Sequence, residues 1–105
     1  MKCLVIQIET QRDQSHTVNE LLELTRSKER FPEVDIDDDS NLVSLNYFTE
    51  DLAVLWQELQ LNLFADGVLG SWLKKVAIVG CEGATGWDDA LLLFHYNPNE
   101  KCDKI

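Results

Sequence analysis

Cations are scarce in this sequence of 105 residues. Nine lysine and arginine residues stand against 19 aspartate and glutamate residues, so the formal net charge is −10 at pH 7. A protein that binds nucleic acid needs lysine and arginine to displace counterions along the phosphates. A protein that docks on an anionic membrane surface needs the same cations. We therefore expect neither nucleic acid nor a membrane among the partners of this chain.

Chemically versatile side chains are also few. The three cysteines, Cys3, Cys81 and Cys102, and the two histidines, His16 and His95, do not have the spacing of zinc ligands. Cys81 with His95 is the one pairing available for nucleophilic catalysis, and an enzyme built on it is the least favoured hypothesis. We expect no metal, no cofactor and no enzymatic activity, and reduced thiols typical of the cytoplasm.

Long apolar runs and phosphate-binding motifs are missing as well. The N-terminal run 3–8 is too short for a signal peptide, and no segment approaches the ~18 apolar residues of a membrane span. The glycines at 80, 83 and 86 lack the spacing of a dinucleotide fingerprint, which favours a flexible loop. The acids at 35, 37 and 39 begin like a calcium loop, but Ser40 and Asn46 occupy the positions that require glycine and glutamate.

Apolar periodicity predicts one α+β domain over residues 1–105, with a solvated tail at 97–105. We expect a two-layer sandwich of order β-α-β-β-α-β-β, in which two main helices cover one face of a mainly antiparallel sheet. The first predicted elements are a strand at 3–8 and a helix that starts with the capping box Thr17-x-x-Glu20 and ends near 28–30. A hairpin follows, with strands near 34–36 and 43–47 and a turn at 37–41. The remaining elements are a helix from Thr49 to Gly67, a short helical turn at 68–73, and strands at 76–79 and 90–96 joined by a loop at 80–86.

Negative charge is concentrated in the middle third of the chain. Between Phe31 and Leu73 there is no lysine or arginine. A hairpin turn and a helix start that are neighbours in sequence thus carry a field of one sign, which speeds the capture of a basic partner. A merely solubilising surface is the alternative. The carboxylates of this segment are Glu33, Asp35, Asp37, Asp38, Asp39, Glu50, Asp51, Glu58 and Asp66.

Aromatic residues beside acids are typical of interface anchors. Trp87 precedes two aspartates in a predicted loop and is expected to be exposed, whereas Trp56 fits the apolar stripe of a helix and is expected in the core. Tyr47 and Trp72 are further candidate anchors. The predicted partner-binding residues are Asp35, Asp37, Asp38, Asp39, Tyr47, Glu50, Asp51, Trp87, Asp88 and Asp89.

The segment 47–59, YFTEDLAVLWQEL, resembles the inhibitory helix of barstar-type proteins, which are intracellular inhibitors of a secreted ribonuclease. The aromatic pair, the acidic helix start and the Leu-x-x-Leu-Trp-x-x-Leu stripe carry the resemblance, and Thr85-Gly86-Trp87 before Leu91–Leu93 is similar to that family's Thr-Gly-Trp before a core strand. The two helix acids with which the family contacts its partner align with Ala53 and Gln57, so that function does not transfer to these positions. The resemblance implies a class of small, acidic inhibitors that block a basic toxin.

Size, charge and this resemblance together predict a binding protein. We expect a bacterial immunity protein or inhibitor that neutralises a basic, nuclease-like toxin by presenting carboxylates to its active-site cleft. The alternative from a different class is a small homodimeric α+β accessory or regulatory domain that associates through a sheet edge or a helix.

Overall fold

The computed structural model describes residues 1–105 and contains five strands, three α-helices and one π-helical segment. The predicted α+β class is confirmed. All strand pairs are antiparallel, and the sheet has the order β2-β3-β1-β4-β5. None of the helices combines the length and apolar character that a bilayer crossing requires. The elements are β1 (Lys2–Glu9), α1 (Val18–Ser27), β2 (Glu33–Asp37), β3 (Leu42–Thr49), α2 (Leu52–Leu59), the π-helical segment (Gln60–Phe64), α3 (Gly67–Val76), β4 (Ala77–Gly83) and β5 (Gly86–His95).

The two faces of the sheet differ because successive side chains of a strand point in opposite directions. Ile6 and Ile8 in the central strand β1 are fully buried and share one core with Leu55 of α2 and Leu73 of α3. Gln7, which lies between the two isoleucines, is exposed. The helices therefore cover one face of the sheet, and we call the other face the open face.

The start of α1 and the β2–β3 hairpin agree with the sequence predictions. The Thr17 hydroxyl accepts a hydrogen bond from the Glu20 backbone N–H, and the Glu20 carboxylate accepts one from the Thr17 N–H, each at 3.2 Å. This reciprocal pair satisfies two backbone donors that a helix start otherwise leaves free. The hairpin turns at residues 38–41, between β2 and β3.

The start of α2 differs from the prediction. Thr49 ends β3 rather than opening the helix, and Asp51 is the N-cap, with its carboxylate accepting from the Val54 N–H at 3.2 Å. The Thr49 hydroxyl in turn accepts from the Asp51 N–H at 3.1 Å. Both residue types cap helices, and the aspartate is favoured here because the threonine is held in the strand opposite Lys2.

The second half of the helical layer also departs from the prediction. The expected helix end at Gly67 is wrong, because Gly67 is the first residue of α3, and the expected short turn at 68–73 is a complete helix of ten residues. Between the two helices, residues Gln60–Phe64 form a π-helical turn. The apolar stripe continues through Leu59 and Leu63, both buried, and so hides this change of winding in the sequence.

The glycine-rich segment 80–86 is not a flexible loop. Strand β4 continues to Gly83 and β5 begins at Gly86, so only Ala84 and Thr85 form the turn. Gly86 adopts φ of +106°, a conformation that side-chain-bearing residues rarely take. The predicted strand at 90–96 is therefore the second half of a longer strand, and its register shifts twice against β4.

Candidate partner-binding surface

Strand β2 places three carboxylates on the open face at one edge of the sheet. Val34 pairs with the fully buried core residue Leu45, so the side chains that alternate with Val34 point the other way. These are Glu33, Asp35 and Asp37, all exposed. Because β2 pairs only with β3, it is an edge strand. We call these three residues, with Asp38 and Asp39 of the adjoining turn, the acidic edge.

Local hydrogen bonds hold the turn end of the acidic edge. The Asp37 carboxylate accepts from the backbone N–H groups of Asp39, at 3.1 Å, and Ser40, at 3.4 Å. Hydrogen bonding from Ser40, first by its side chain and then by its backbone N–H, lowers the pKa of Asp37, because it favours the ionised carboxylate. Asn41 closes the turn with φ of +55°, a value that asparagine tolerates better than most residues. Asp38 and Asp39 remain exposed at its tip.

The middle of the acidic edge is oriented by Asn46 of the neighbouring strand. The Asn46 side-chain amide donates to the Asp35 carboxylate at 3.0 Å and to the Glu33 backbone carbonyl at 3.1 Å. Asp35 is thereby held over the open face while it stays exposed. A carboxylate fixed in this way loses little side-chain entropy when a partner binds it.

No cation of the chain neutralises the acidic edge. None of the ion pairs in the molecule includes one of its five carboxylates. Elsewhere in the acidic middle third, Arg30 grips Glu58 with two hydrogen bonds of 2.6 and 3.2 Å, and the Met1 amino group lies 3.8 Å from Glu50. Besides the five carboxylates of the acidic edge, only Asp51, which caps α2, and Asp66 have no ion pair in this segment, so the unneutralised charge is concentrated along β2 and its turn.

A shallow cavity of about 320 Å³ on the open face brings Asp35 and Trp87 together. Trp87 is 51% exposed, as the sequence predicted, although it lies in β5 rather than in a loop. Trp87 lines the cavity from β5, which forms the other edge of the sheet from β2. One contact surface therefore includes an acid of the edge and an exposed tryptophan. The cavity is lined by Val5, Gln7, Asp35, Ser44, Asn46, Ile78, Gly80 and Trp87.

Tyr47 does not contribute to this surface, and its predicted contact with a partner is wrong. The residue lies on the core face of β3, opposite Leu4 of β1, and is 3% exposed. Its hydroxyl shares a hydrogen bond of 3.0 Å with the buried hydroxyl of Thr25. Burial raises the pKa of Tyr47 to about 12, because the phenolate would be poorly solvated there.

Trp72, the other candidate anchor, is also a core residue. It is 3% exposed, and its indole N–H donates to the backbone carbonyl of Asp13 at 2.8 Å. Trp56, expected in the core, packs edge-on against the buried Phe64 with ring centroids 5.5 Å apart and is half-buried. Trp87 is thus the most exposed of the three tryptophans.

Glu50 and Asp51 lie at the end of β3 remote from the hairpin turn. The eight residues of β3 separate them from that turn, which corresponds to roughly 25 Å along an extended strand. Asp51 caps α2 with its side chain, while Glu50 is exposed beside the amino terminus. The structure therefore places the two acidic groups at opposite ends of β3 instead of side by side.

Asp88 and Asp89 follow Trp87 in β5, at the other edge of the sheet from β2. Asp89 accepts hydrogen bonds from the Thr85 N–H at 3.1 Å and the Thr85 hydroxyl at 2.9 Å, which hold the tight turn before it. The same bonds lower the pKa of Asp89. Asp88 is exposed and is the free member of the pair.

The cysteine and histidine side chains form no catalytic arrangement with each other. Cys81 is buried on the core face of β4, whereas His95 of β5 pairs with Ile78, whose side chain lies on the open face. Burial raises the pKa of Cys81, which keeps its thiol protonated. All three cysteines are unpaired, and no group of three or more His, Cys, Asp or Glu side chains is placed to hold a metal ion.

Sequence reasoning missed several residues of this surface. Glu33 was counted among the acids but not assigned to the site, although its period-two spacing with Asp35 and Asp37 indicates a common face. Val5 and Ile78 also line the cavity. In β1, apolar residues occur at both odd and even positions, which indicates that both faces of this strand carry apolar side chains.

Comparisons of the chain with models of known protein families, with curated proteins and with solved structures return no match. The similarity of the segment 47–59 to barstar-type inhibitors stays a prediction from the sequence. The charge and geometry of the acidic edge and the open face therefore carry the functional conclusion.

Proposed function

We propose that this protein is an immunity-type inhibitor that binds and neutralises a basic protein toxin, most simply a nuclease. The active-site cleft of a nuclease must be cationic because it receives phosphates. Carboxylates can occupy such a cleft in place of phosphates. The observation that carries the proposal is the acidic edge, in which five carboxylates within seven residues have no cationic partner in the molecule.

The energetics of the acidic edge favour a partner of opposite charge. Like charges so close together repel one another and cost the free protein some stability. A cationic cleft removes this repulsion and, before contact, attracts the acidic edge over a distance of about one Debye length, roughly 8 Å at physiological salt. We therefore expect fast association that slows as the salt concentration rises.

Trp87 supplies the apolar part of the proposed interface. A tryptophan that becomes fully desolvated in a complex is among the residues that contribute most to binding. Because Trp87 and Asp35 line the same cavity, one partner segment can place a basic side chain on Asp35 and cover the exposed indole. Trp87→Ala is therefore expected to speed dissociation while leaving association nearly unchanged.

A cytoplasmic location fits this function, since a cell that makes a toxin must inhibit it inside. The three unpaired cysteines suit a reducing compartment. The alternative, a homodimeric accessory domain, would have to avoid β2, because two copies joined there would oppose carboxylate to carboxylate. Light scattering on the isolated protein distinguishes the two, since the inhibitor proposal expects a monomer and the alternative expects a tight homodimer.

The test is inhibition of a panel of purified ribonuclease and deoxyribonuclease toxin domains with basic active sites. The wild-type protein is expected to inhibit at least one of them at a 1:1 ratio, and the variant Asp35→Asn/Asp37→Asn/Asp38→Asn/Asp39→Asn to lose this inhibition. The control Glu23→Gln/Glu29→Gln/Asp66→Asn/Glu100→Gln removes the same charge from exposed positions outside the acidic edge. Equal loss in both variants, or no inhibition of any nuclease by the wild type, would contradict the proposal.

A further inference from the structure

A second cavity, of about 240 Å³, lies among the helices near β5, on the side of the sheet away from the open face. Phe94 of β5 belongs to its wall and pairs with the core residue Val79, which places this part of the cavity on the core face. Since β5 and β2 form opposite edges of the sheet, the cavity is separate from the acidic edge. We call it the aromatic pocket; its lining residues are Trp56, Gln60, Phe64, Ala65, Lys74 and Phe94.

Three aromatic rings form the wall of the aromatic pocket. The ring of Phe64 is buried and packs between its neighbours, with its centroid 5.5 Å from that of Trp56 and 5.0 Å from that of Phe94. Trp56 and Phe94 are only half-buried. Part of their surface therefore remains available for offset-stacked or edge-to-face contact with a further aromatic ring.

The fold builds the aromatic pocket from a π-helical turn and a close helix contact. The π-helical segment carries Phe64 at its end, and π-helical turns occur frequently at functional sites. A Cβ atom on Gly70 of α3 would collide with the Phe64 carbonyl oxygen, so the absence of a side chain lets α3 approach this segment. Lys74 follows Gly70 by four residues and is therefore on the same side of α3.

Lys74 adds an unneutralised cation to this wall. Its side chain is exposed and belongs to no ion pair, whereas the ammonium of the adjacent Lys75 lies 3.8 Å from the Asp13 carboxylate. Both lysines are in the last turn of α3, but only Lys74 lines the cavity. Asp66 is the nearest acid in sequence to a lining residue, Ala65, and it pairs with neither lysine.

We propose that the aromatic pocket binds a small planar aromatic carboxylate. Its ring would lie against Trp56 and Phe94, and its carboxylate would pair with the Lys74 ammonium, the one cation that lines the cavity. A volume of about 240 Å³ suits one or two fused rings, since pockets for drug-sized ligands start near 300 Å³. This inference is independent of the proposed inhibitor function.

The test uses 2-naphthoate and its neutral analogue 2-naphthamide as probes in an NMR titration of the ¹⁵N-labelled full chain. We expect saturable shifts confined to residues around Trp56, Phe64, Lys74 and Phe94, and weaker binding of the amide. Lys74→Gln should weaken naphthoate binding about fivefold, the upper range for a partly exposed ion pair. Lys75→Gln should leave it unchanged, and Asp66→Asn should strengthen it slightly because a nearby negative charge is removed.

All three substitutions are at exposed positions, so the spectrum of each variant is expected to show the wild-type fold. Equal affinity for the acid and the amide would overturn the proposal of an anion site, as would equal effects of Lys74→Gln and Lys75→Gln. Shifts centred on the open face, or shifts that do not saturate, would overturn the site itself.

Discussion

Tyr47 shows how β3 accommodates a polar atom in an apolar core. The alternation that buries Val43 and Leu45 also carries Tyr47 inward, and this pattern was visible in the sequence. The phenol oxygen then needs a partner, because an unpaired buried hydroxyl is costly. Thr25 on α1 supplies it, which links the first helix to the third strand.

Tyr47→Phe should lower the free energy of unfolding by about 1 kcal/mol, because it leaves the Thr25 hydroxyl without this partner. Urea denaturation measures the loss. Thr25→Val/Tyr47→Phe removes both hydroxyls and should recover most of it. Partner affinity of Tyr47→Phe should be unchanged, since the residue is buried. A Tyr47→Phe variant that keeps normal stability but no longer inhibits would show that Tyr47 does contact the partner.

The Arg30–Glu58 pair makes part of the stability depend on pH. The bidentate hydrogen bonds from Arg30 lower the pKa of Glu58 in the folded protein relative to the unfolded chain, where it is about 4.3. A carboxylate with a lowered pKa stabilises the fold at pH values above its unfolded pKa. That contribution is lost as the pH falls through the lower, folded pKa.

Glu58→Gln should therefore cost about 1 kcal/mol at pH 7, a value limited by the partial exposure of both side chains. Urea denaturation of the wild type and the variant between pH 7 and pH 3 tests this. The difference should hold down to about pH 4.3 and then decrease. A difference that is absent at pH 7, or that grows in acid, would show that the ion pair does not stabilise the fold.

At the scale of elements, the contact between α3 and the π-helical segment depends on Gly70. Gly70→Ala would press a Cβ atom against the Phe64 carbonyl, so we expect a destabilisation of about 1–3 kcal/mol from overpacking. Gly80→Ala is the control, because its Cβ would meet only the Leu91 carbonyl, at 3.4 Å. Thermal unfolding should rank the two variants in this order, and equal melting temperatures would contradict the tight helix contact.

Elements whose ends are set by local hydrogen bonds could be predicted from the sequence. The Thr17-x-x-Glu20 box fixes the start of α1 wherever the helix packs, because both of its bonds are formed within four residues. The β2–β3 hairpin is similar, since alternating apolar residues and a run of turn-forming Asp, Ser and Asn define it locally.

Elements defined by packing could not be predicted from the sequence. The stripe of Leu59 and Leu63 fits one continuous helix as well as an α-helix that widens into a π-helical turn, so the boundary at Gly67 was misassigned. Gly83 and Gly86 are typical of a mobile loop, yet they face each other across a tight turn. The strands extend through this region because β4 and β5 pair with each other, and no local sequence pattern encodes that pairing.

At the scale of the whole molecule, the acidic edge could be predicted from the sequence, but the residues that lie beside it in the fold could not. Acids that alternate with apolar residues along β2 must share a face, which the sequence alone implies. The proximity of Asp35 to Trp87, which comes 52 residues later in the chain, depends on strand order and on the shifted register of β5. The burial of Trp72 is likewise a consequence of helix packing.

The charge distribution of the folded molecule supports one binding surface rather than a uniformly acidic exterior. Ion pairs use Glu58 and Glu50, and a helix cap uses Asp51. Apart from that cap and Asp66, the carboxylates of the middle third that have no cationic partner lie along one strand and its turn, beside an exposed tryptophan. The same net charge spread evenly over the surface would increase solubility without directing a partner to any particular face.

The most direct test of the acidic edge measures the association rate constant with an inhibited cationic nuclease at several salt concentrations, by stopped-flow fluorescence. For the wild type, the rate should fall by about tenfold or more as the salt rises from low to high concentration, as expected for electrostatic steering. The four-Asn variant of the acidic edge should associate slowly with a nearly flat salt dependence, while the four-residue control variant keeps most of the wild-type slope. Identical rates and slopes for the wild type and the four-Asn variant would contradict a binding function of the acidic edge.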